Sequence, residues 1–193
     1  MKSLFLFALV AIGAWLLLSP ILRPSTSPDD PAAEARAFNA RIPFVADRLQ
    51  PAPAFRFRGT IAAREQATRC LATAALYEAG PDESGQKAVI QVILNRLRSP
   101  HFPKTVCGVV YQGSSLPTGC QFSFACDGSA LRRPQREGWA GARKAARLAL
   151  AGYVFRPVGR ATHYHADYVV PAWMHSLDKI AQVHAHIFYR TPG

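Results

Sequence analysis

The sequence predicts an α+β domain, and three observations carry that prediction. Two long segments, 61–78 and 85–97, repeat apolar residues at helical spacing. A middle stretch, 105–136, mixes turn signals with short β-prone runs. The end of the chain, "ATHYHADYVVPAWM" and "HIFYR", reads as extended segments around an irregular loop. Helices enclosing a small β-rich excursion form the pattern of an α+β arrangement.

The first 22 residues, "MKSLFLFALVAIGAWLLLSPIL", stand apart from that domain. A short basic start precedes uncharged, mainly apolar residues from Leu4 to Leu18, and Ser19 and Pro20 interrupt the run before Ile21 and Leu22. The pattern is that of a signal peptide or of a membrane anchor, which takes roughly 17–25 residues. No convincing small-x-small cleavage site follows, so the reading favours an uncleaved anchor. Either way the rest of the chain crosses the membrane. Residues 23–59 are rich in Pro, Ala and charge with no sustained period. They are expected to form a linker, with a short helix near Ala32–Asn39.

The domain spans 60–193. Its first helix is expected over Ile61–Glu78, with Cys70, Leu71, Ala74 and Ala75 as an apolar stripe. Gly80 and Pro81 break it, and Ser84 is the expected cap of a second helix, Gly85 to Leu97. In that helix Val89, Val92, Ile93 and Leu97 share a face. Prolines 100 and 103 close it. "VCGVVYQ" and "CQFSFAC" are the β-prone runs of the middle segment, and a third helix is expected over Trp139–Ala151 with Gly152 as its stop.

Charge and cysteines narrow the function classes. The chain carries 23 Lys or Arg against 12 Asp or Glu, a formal net charge of +11. From Thr60 onward the count is sixteen against eight, a net of +8. An exported basic domain meets anionic wall polymers or membrane surfaces rather than nucleic acid. All four cysteines, Cys70, Cys107, Cys120 and Cys126, fall inside the expected domain. An even count in an exported domain points to two disulfides, with three connectivities open. No pair has the spacing of a zinc knuckle.

The chemistry starts at Glu78, which continues the apolar stripe of the first helix. A carboxylate is rarely buried without a partner, and burial raises its pKa. A carboxylic acid kept protonated near neutral pH is what a glycosidase uses to protonate a leaving oxygen. A second carboxylate would have to be Asp82, Glu83 or Asp127, and each is explained as well by a turn or helix start. A lone glutamate therefore fits a lytic transglycosylase, in which the sugar's own hydroxyl closes a ring. A second cluster is "THYHADY": on a strand, His163, His165 and Asp167 share one face. That spacing would suit a zinc amidase cutting the peptide stems, the main competing reading. Tyr77, Tyr164, Tyr168 and Trp173 could pack on pyranose rings. Gln121 and Ser123 are polar positions inside an aromatic run. No phosphate loop, G-x-S-x-G turn or H-E-x-x-H helix is present.

"CLATAALYEAG…GQKAVIQVILNRLRSPHFPKTVCGVVYQG", then "CQFSFACDG" and "ATHYHADYVVPAWMHSLDKIAQVHAHIFYR", resembles the cell-wall hydrolase family of the spore-cortex-lytic enzymes. The match is nearer to its cysteine-containing Gram-negative branch and runs from Cys70 to Arg190. The resemblance implies a lysozyme-like fold and peptidoglycan as partner and substrate. It implies cleavage between N-acetylmuramic acid and N-acetylglucosamine, by transglycosylation or hydrolysis, without cofactor or metal. With the N-terminal segment, the expected location is periplasmic with an inner-membrane anchor, or secreted if residues 1–22 are removed. The family's acid/base glutamate follows an aromatic residue at the end of the first helix, as Glu78 follows Tyr77. Gln121 and Ser123 are the expected sugar contacts, with Tyr77 beside the acid and His163, Tyr164 and His165 on the opposite wall. "EAGPDESGQ" is one residue shorter than the family's usual turn and lacks its arginine, so no role carries over to Glu83. The shortened turn keeps a third reading open, an inactive membrane-anchored module that holds the wall.

Overall fold

Thr60 opens the longest helix among the described residues, α2 (Ile61–Ala79), its hydroxyl accepting the Ala63 N–H at 3.1 Å. Gly80 closes α2 with φ 53°, a left-handed value that favours glycine. Helix α3 (Glu83–Arg96) follows after a two-residue turn segment, Pro81–Asp82. Asp82 caps it, accepting the Ser84 N–H at 3.0 Å, so α3 starts earlier than the expected Gly85 and Ser84 is not the cap. A carboxylate there both pairs with a free N–H and sits against the positive end of the helix dipole.

The computed structural model describes residues 30–47, 49–116, 119–129 and 137–193. The expected anchor or signal segment, 1–22, lies outside the described residues, as do 23–29. Among the described residues no helix is long and apolar enough to cross a membrane.

Helix α3 is the core of the helical layer, buried from Gly85 to Arg96 except at Lys87. Helix α2 and α5 (Trp139–Leu150) pack against it and against each other. Ala67, Ala74 and Ala75 of α2 and Ala142, Ala145, Ala146 and Ala149 of α5 are buried in that cluster. Short side chains let the backbones approach closely, and at the contact's margin Glu65 pairs with Arg143 and Arg147.

The middle segment departs from expectation. "VCGVV" is a short helix, α4 (Val106–Val110), capped by Thr105, and "SFA" is a single 3-10 turn, Ser123–Ala125. Among the described residues it holds no strand of the sheet. Val106, Val109 and Val110 are the buried residues of α4, a helical spacing, so packing overrides their β propensity. Cys120 and Cys126 are joined with Cα atoms 6.1 Å apart. A strand of that length would separate them by roughly 20 Å. The other disulfide, Cys70–Cys107, ties α2 to α4.

The sheet comes instead from the C-terminal end: β1 (His163–Ala166), β2 (Asp178–Val183) and β3 (His186–Arg190), antiparallel in the order β1-β3-β2. Helices plus a small antiparallel sheet keep the α+β class. One face of the sheet meets α3 through Ile180, Ala181 and Phe188, packed with Ala88 and Val92.

The segment expected to be a linker is docked from residue 31 onward. Helix α1 (Pro31–Arg41) lays Phe38 and Ile42 on Met174, Ile187 and Tyr189, while Phe55 and Phe57 reach the helical core. Residues 31–193 form one compact unit. The apolar residues of this segment are spaced irregularly, so no periodicity announces the docking.

Replacing both Cys70 and Cys107 by Ala releases a closure 37 residues long and should cost about 3–4 kcal/mol. Replacing Cys120 and Cys126, only 6 apart, should cost about 2 kcal/mol. Urea midpoints of the two double variants under non-reducing conditions would check the order.

Candidate active site

Glu78 stands one residue before the end of α2, half-buried, and β1 supplies its partner. The Tyr164 hydroxyl donates to Glu78 Oε2 at 2.9 Å. Tyr164 points toward α3 because strand alternation sends its ring to the Phe188 side, 5.6 Å between centroids. Burial raises the Glu78 carboxyl above its ordinary value, against the opposing effects of the Tyr164 hydrogen bond and of the charge on Arg96. Tyr164 is pushed well above the usual phenol range, by burial and then by the Glu78 charge, so it remains a donor.

Arg96 was not among the residues singled out from sequence. It is only 3% exposed, at the last position of α3, and its Nε donates to Thr162 O at 2.7 Å, just before β1. Its guanidinium lies over Phe102 at 5.1 Å and Phe122 at 5.6 Å. Burial brings it down to about 10, with the charges of Tyr164 and Glu78 working the other way. Arg96 follows Val89 and Ile93 at helical spacing, so a cation on an apolar stripe was the available signal, the same one that exposes Glu78.

The other expected residues divide into two groups. Gln121 and Ser123 lie on the loop closed by Cys120–Cys126, Ser123 exposed between the buried Phe122 and Phe124. That loop reaches the end of α2 through Tyr77, whose ring stacks on Phe124 at 4.7 Å and whose hydroxyl donates to Ser129 O at 2.7 Å. Tyr77 therefore braces the loop. His163 and His165 occupy the face of β1 opposite Tyr164, both with ring centroids 5.6 Å from Trp173. His163 also neighbours Phe102, and burial together with Arg96 lowers its pKa. His165 Nε2 meets the Tyr189 hydroxyl at 2.9 Å and its Nδ1 meets Ala166 O at 2.9 Å. Asp167 pairs with Arg36 at 3.2 Å. His163, His165 and Asp167 thus have separate partners and do not converge as a ligand set. No group of three metal-binding side chains occurs among the described residues.

The shortened turn after Glu78 is held from the sheet. His184 Nδ1 meets Asp82 Oδ2 at 2.5 Å, and His184 takes φ 48° in the β2–β3 turn. Partial burial pushes the Asp82 carboxyl up, but the His184 contact and the N–H groups of Gly85 and Ser84 outweigh it and hold it below the usual carboxylate range.

Three comparisons bear on this geometry. A model of the family described as Cell Wall Hydrolase matches residues 80–189, starting two residues after Glu78. The spore cortex-lytic enzyme of Halalkalibacterium halodurans is 37% identical over 105 residues, 54% of this chain and 28% of that protein. The spore cortex-lytic enzyme of Bacillus subtilis is 34% identical over 122 residues, 62% of this chain and 36% of that protein. The chain thus matches about a third of these relatives' length. Among solved structures, the catalytic domain of the Bacillus cereus SleB protein superimposes with a TM-score of 0.53 at 28% identity, over 70% of this chain and 95% of that one. The catalytic domain of the germination-specific lytic transglycosylase SleB from Bacillus anthracis gives 0.51 at 30% identity, over 65% and 95%.

Because folding raises the Glu78 pKa above its ordinary 4.5, folding favours the protonated acid. That contribution is complete below pH 4.5 and disappears as pH rises through the elevated folded value. Glu78→Gln should therefore melt higher than the parent protein at neutral pH, with the difference gone below pH 4.5. Thermal melts by circular dichroism across that range would check it.

Proposed function

The chain belongs to the cell wall hydrolase family, and from that membership we propose that it cleaves the glycan strand of peptidoglycan, with Glu78 as its acid and base. The observation that carries this reading is the half-buried Glu78–Tyr164 pair. The fold we read as lysozyme-like, the helix end carrying the acid and the sheet edge facing it.

In this mechanism the protonated Glu78 gives its proton to the glycosidic oxygen between N-acetylmuramic acid and N-acetylglucosamine. The bond from that oxygen to the muramoyl anomeric carbon breaks as the proton arrives. Tyr164 occupies Oε2, which leaves Oε1 for the proton in transit. Once the proton has gone, the Tyr164 hydrogen bond and the Arg96 charge, both of which favour the ionised form, stabilise the carboxylate. Glu78 then takes the proton of the muramoyl 6-hydroxyl as that oxygen closes on the anomeric carbon. The product is a 1,6-anhydro ring, and neither a nucleophilic carboxylate nor a water is consumed. Support for transglycosylation over hydrolysis comes from the similarity to the germination-specific lytic transglycosylase SleB from Bacillus anthracis.

Gln121, Ser123 and His163 are the proposed sugar contacts. Tyr77 and His165, whose polar atoms already have protein partners, act as supports for the wall of the site. A domain with every described cysteine in a disulfide suits an oxidising compartment, so we read the protein as periplasmic and tethered through residues 1–22.

The test is mass spectrometry of soluble products from purified sacculi. The parent protein should release anhydromuropeptides, and Glu78→Gln should lower the rate by roughly 10²–10⁴-fold, the range of a lost general acid. Reducing-end products would mean a hydrolase using the same acid. Free peptide stems, abolished by chelator and indifferent to Glu78, would replace this reading with a metal-dependent amidase. Binding without products would make the protein a wall-holding module.

A further inference from the structure

Helix α1 lies outside the residues matched by the family model, yet its contacts lead to the catalytic pair. Asn39, 1% exposed, donates through Nδ2 to Asp167 O at 2.6 Å and to Val169 O at 2.9 Å. Those carbonyls belong to the residues directly after β1. The Asn39 Oδ1 is buried with no partner among the described residues, so this amide works through its donors. Arg36, one helical turn earlier, pairs with Asp167 and lies 5.5 Å over the Tyr168 ring.

The clamp is fastened from the sheet as well. Lys179 of β2, 4% exposed, sends its Nζ to Asn39 O at 2.7 Å and to Ile42 O at 2.9 Å, placing a cation at the C-terminal end of α1 and on the residue just after it. The end of β1 is thus gripped by α1 on one side and held on the other by the β2–β3 turn, where Asp167 N donates to Ala185 O at 2.7 Å. Three residues before Asp167 stands Tyr164.

We infer that Asn39 is a positioning residue for the catalytic pair: through the Asp167 and Val169 carbonyls it sets the lie of β1 and so aims the Tyr164 hydroxyl at Glu78. This rests on the proposed function for its catalytic consequence, though not for its geometry. Glu78 is faced by Tyr164 from β1 and by Arg96 from α3. His186 of β3 lies edge-on to the Tyr164 ring at 5.3 Å, and the Asp82–His184 contact holds the next turn.

The experiment is a double-mutant cycle in the full chain with Asn39→Ala and Tyr164→Phe, read in two ways. The first follows the Glu78 carboxyl by carbon NMR titration, its signal assigned from Glu78→Gln. Tyr164→Phe should raise the midpoint, since a donor to the carboxylate is lost. Asn39→Ala should raise it part of the way, and the double variant should rise no further than Tyr164→Phe alone. The second reads turnover of soluble glycan strands. Asn39→Ala should lower kcat about tenfold with little change in KM, as expected when a reacting group is misplaced by a fraction of an ångström. The double variant should be no slower than Tyr164→Phe.

An unmoved midpoint in Asn39→Ala, or effects that simply add, overturns the proposal and leaves Asn39 a structural residue. Should Asn39→Ala fail to fold, Arg36→Ala loosens the solvent-facing half of the same clamp and should raise the midpoint in smaller measure; no rise overturns the proposal. A closed NMR cycle in a protein that releases no glycan products would uphold the positional link and sink the proposed function. Products with an open cycle would do the reverse.

Discussion

A helix buried on nearly every side needs partners inside the protein for its polar groups, and α3 finds them by holding the chain around it, Arg96 Nη1 alone among its buried side-chain atoms having none among the described residues. Gln86 Nε2 donates to Gly80 O and Gly138 O, joining the turn after Glu78 to the start of α5. Gln91 accepts the Phe155 N–H and donates to Asn95, which in turn donates to Gly159 O and Ala161 O. Arg96 completes the series at Thr162 O. The irregular approach to β1 is therefore fixed residue by residue from one helix. An unpartnered buried amide or guanidinium costs more than the net gain of the bond it would make. The side chains of α3 thus hold this approach in one conformation and fix the near end of β1, as Asn39 grips its far end.

The parts of the fold that could be read from the chain are those whose causes are local. Cys70, Leu71, Ala74 and Ala75 mark α2 by spacing alone, and Gly80 and Pro81 end it. Glu78 was legible because a carboxylate on such a stripe needs a reason. Arg96 obeys the same logic but stood among good helix formers at a helix end, where a cation is unremarkable beside the dipole. What stayed hidden depends on distant partners. The valines of α4 read as strand formers until α2 and the Cys70–Cys107 bond supply a helical environment. Asn39 finds its acceptors 128 and 130 positions away, beyond any periodicity argument.

The sheet's position also changes how the site is built. A small β-rich excursion was expected in the middle of the chain, beside extended segments at its end. The C-terminal strands alone form the sheet, with Tyr164 on the wall opposite the acid as expected, while the middle segment contributes a compact loop of alternating aromatic and polar residues. Phe122 lies under Arg96 and Phe124 under Tyr77, so the buried aromatics fix the loop and leave Ser123 free to face outward. The short turn after Glu78 is held from this same sheet by His184 on Asp82.

The two disulfides give this domain a history as well as a shape. Both bonds hold short segments whose own secondary structure is slight. Helix α4 is five residues long, below the length at which a helix holds itself, and the loop at Cys120–Cys126 contains one 3-10 turn. Reduction would remove the covalent hold on both segments without changing the sequence at any position. How a sample was oxidised is as much a part of its description as its amino acids.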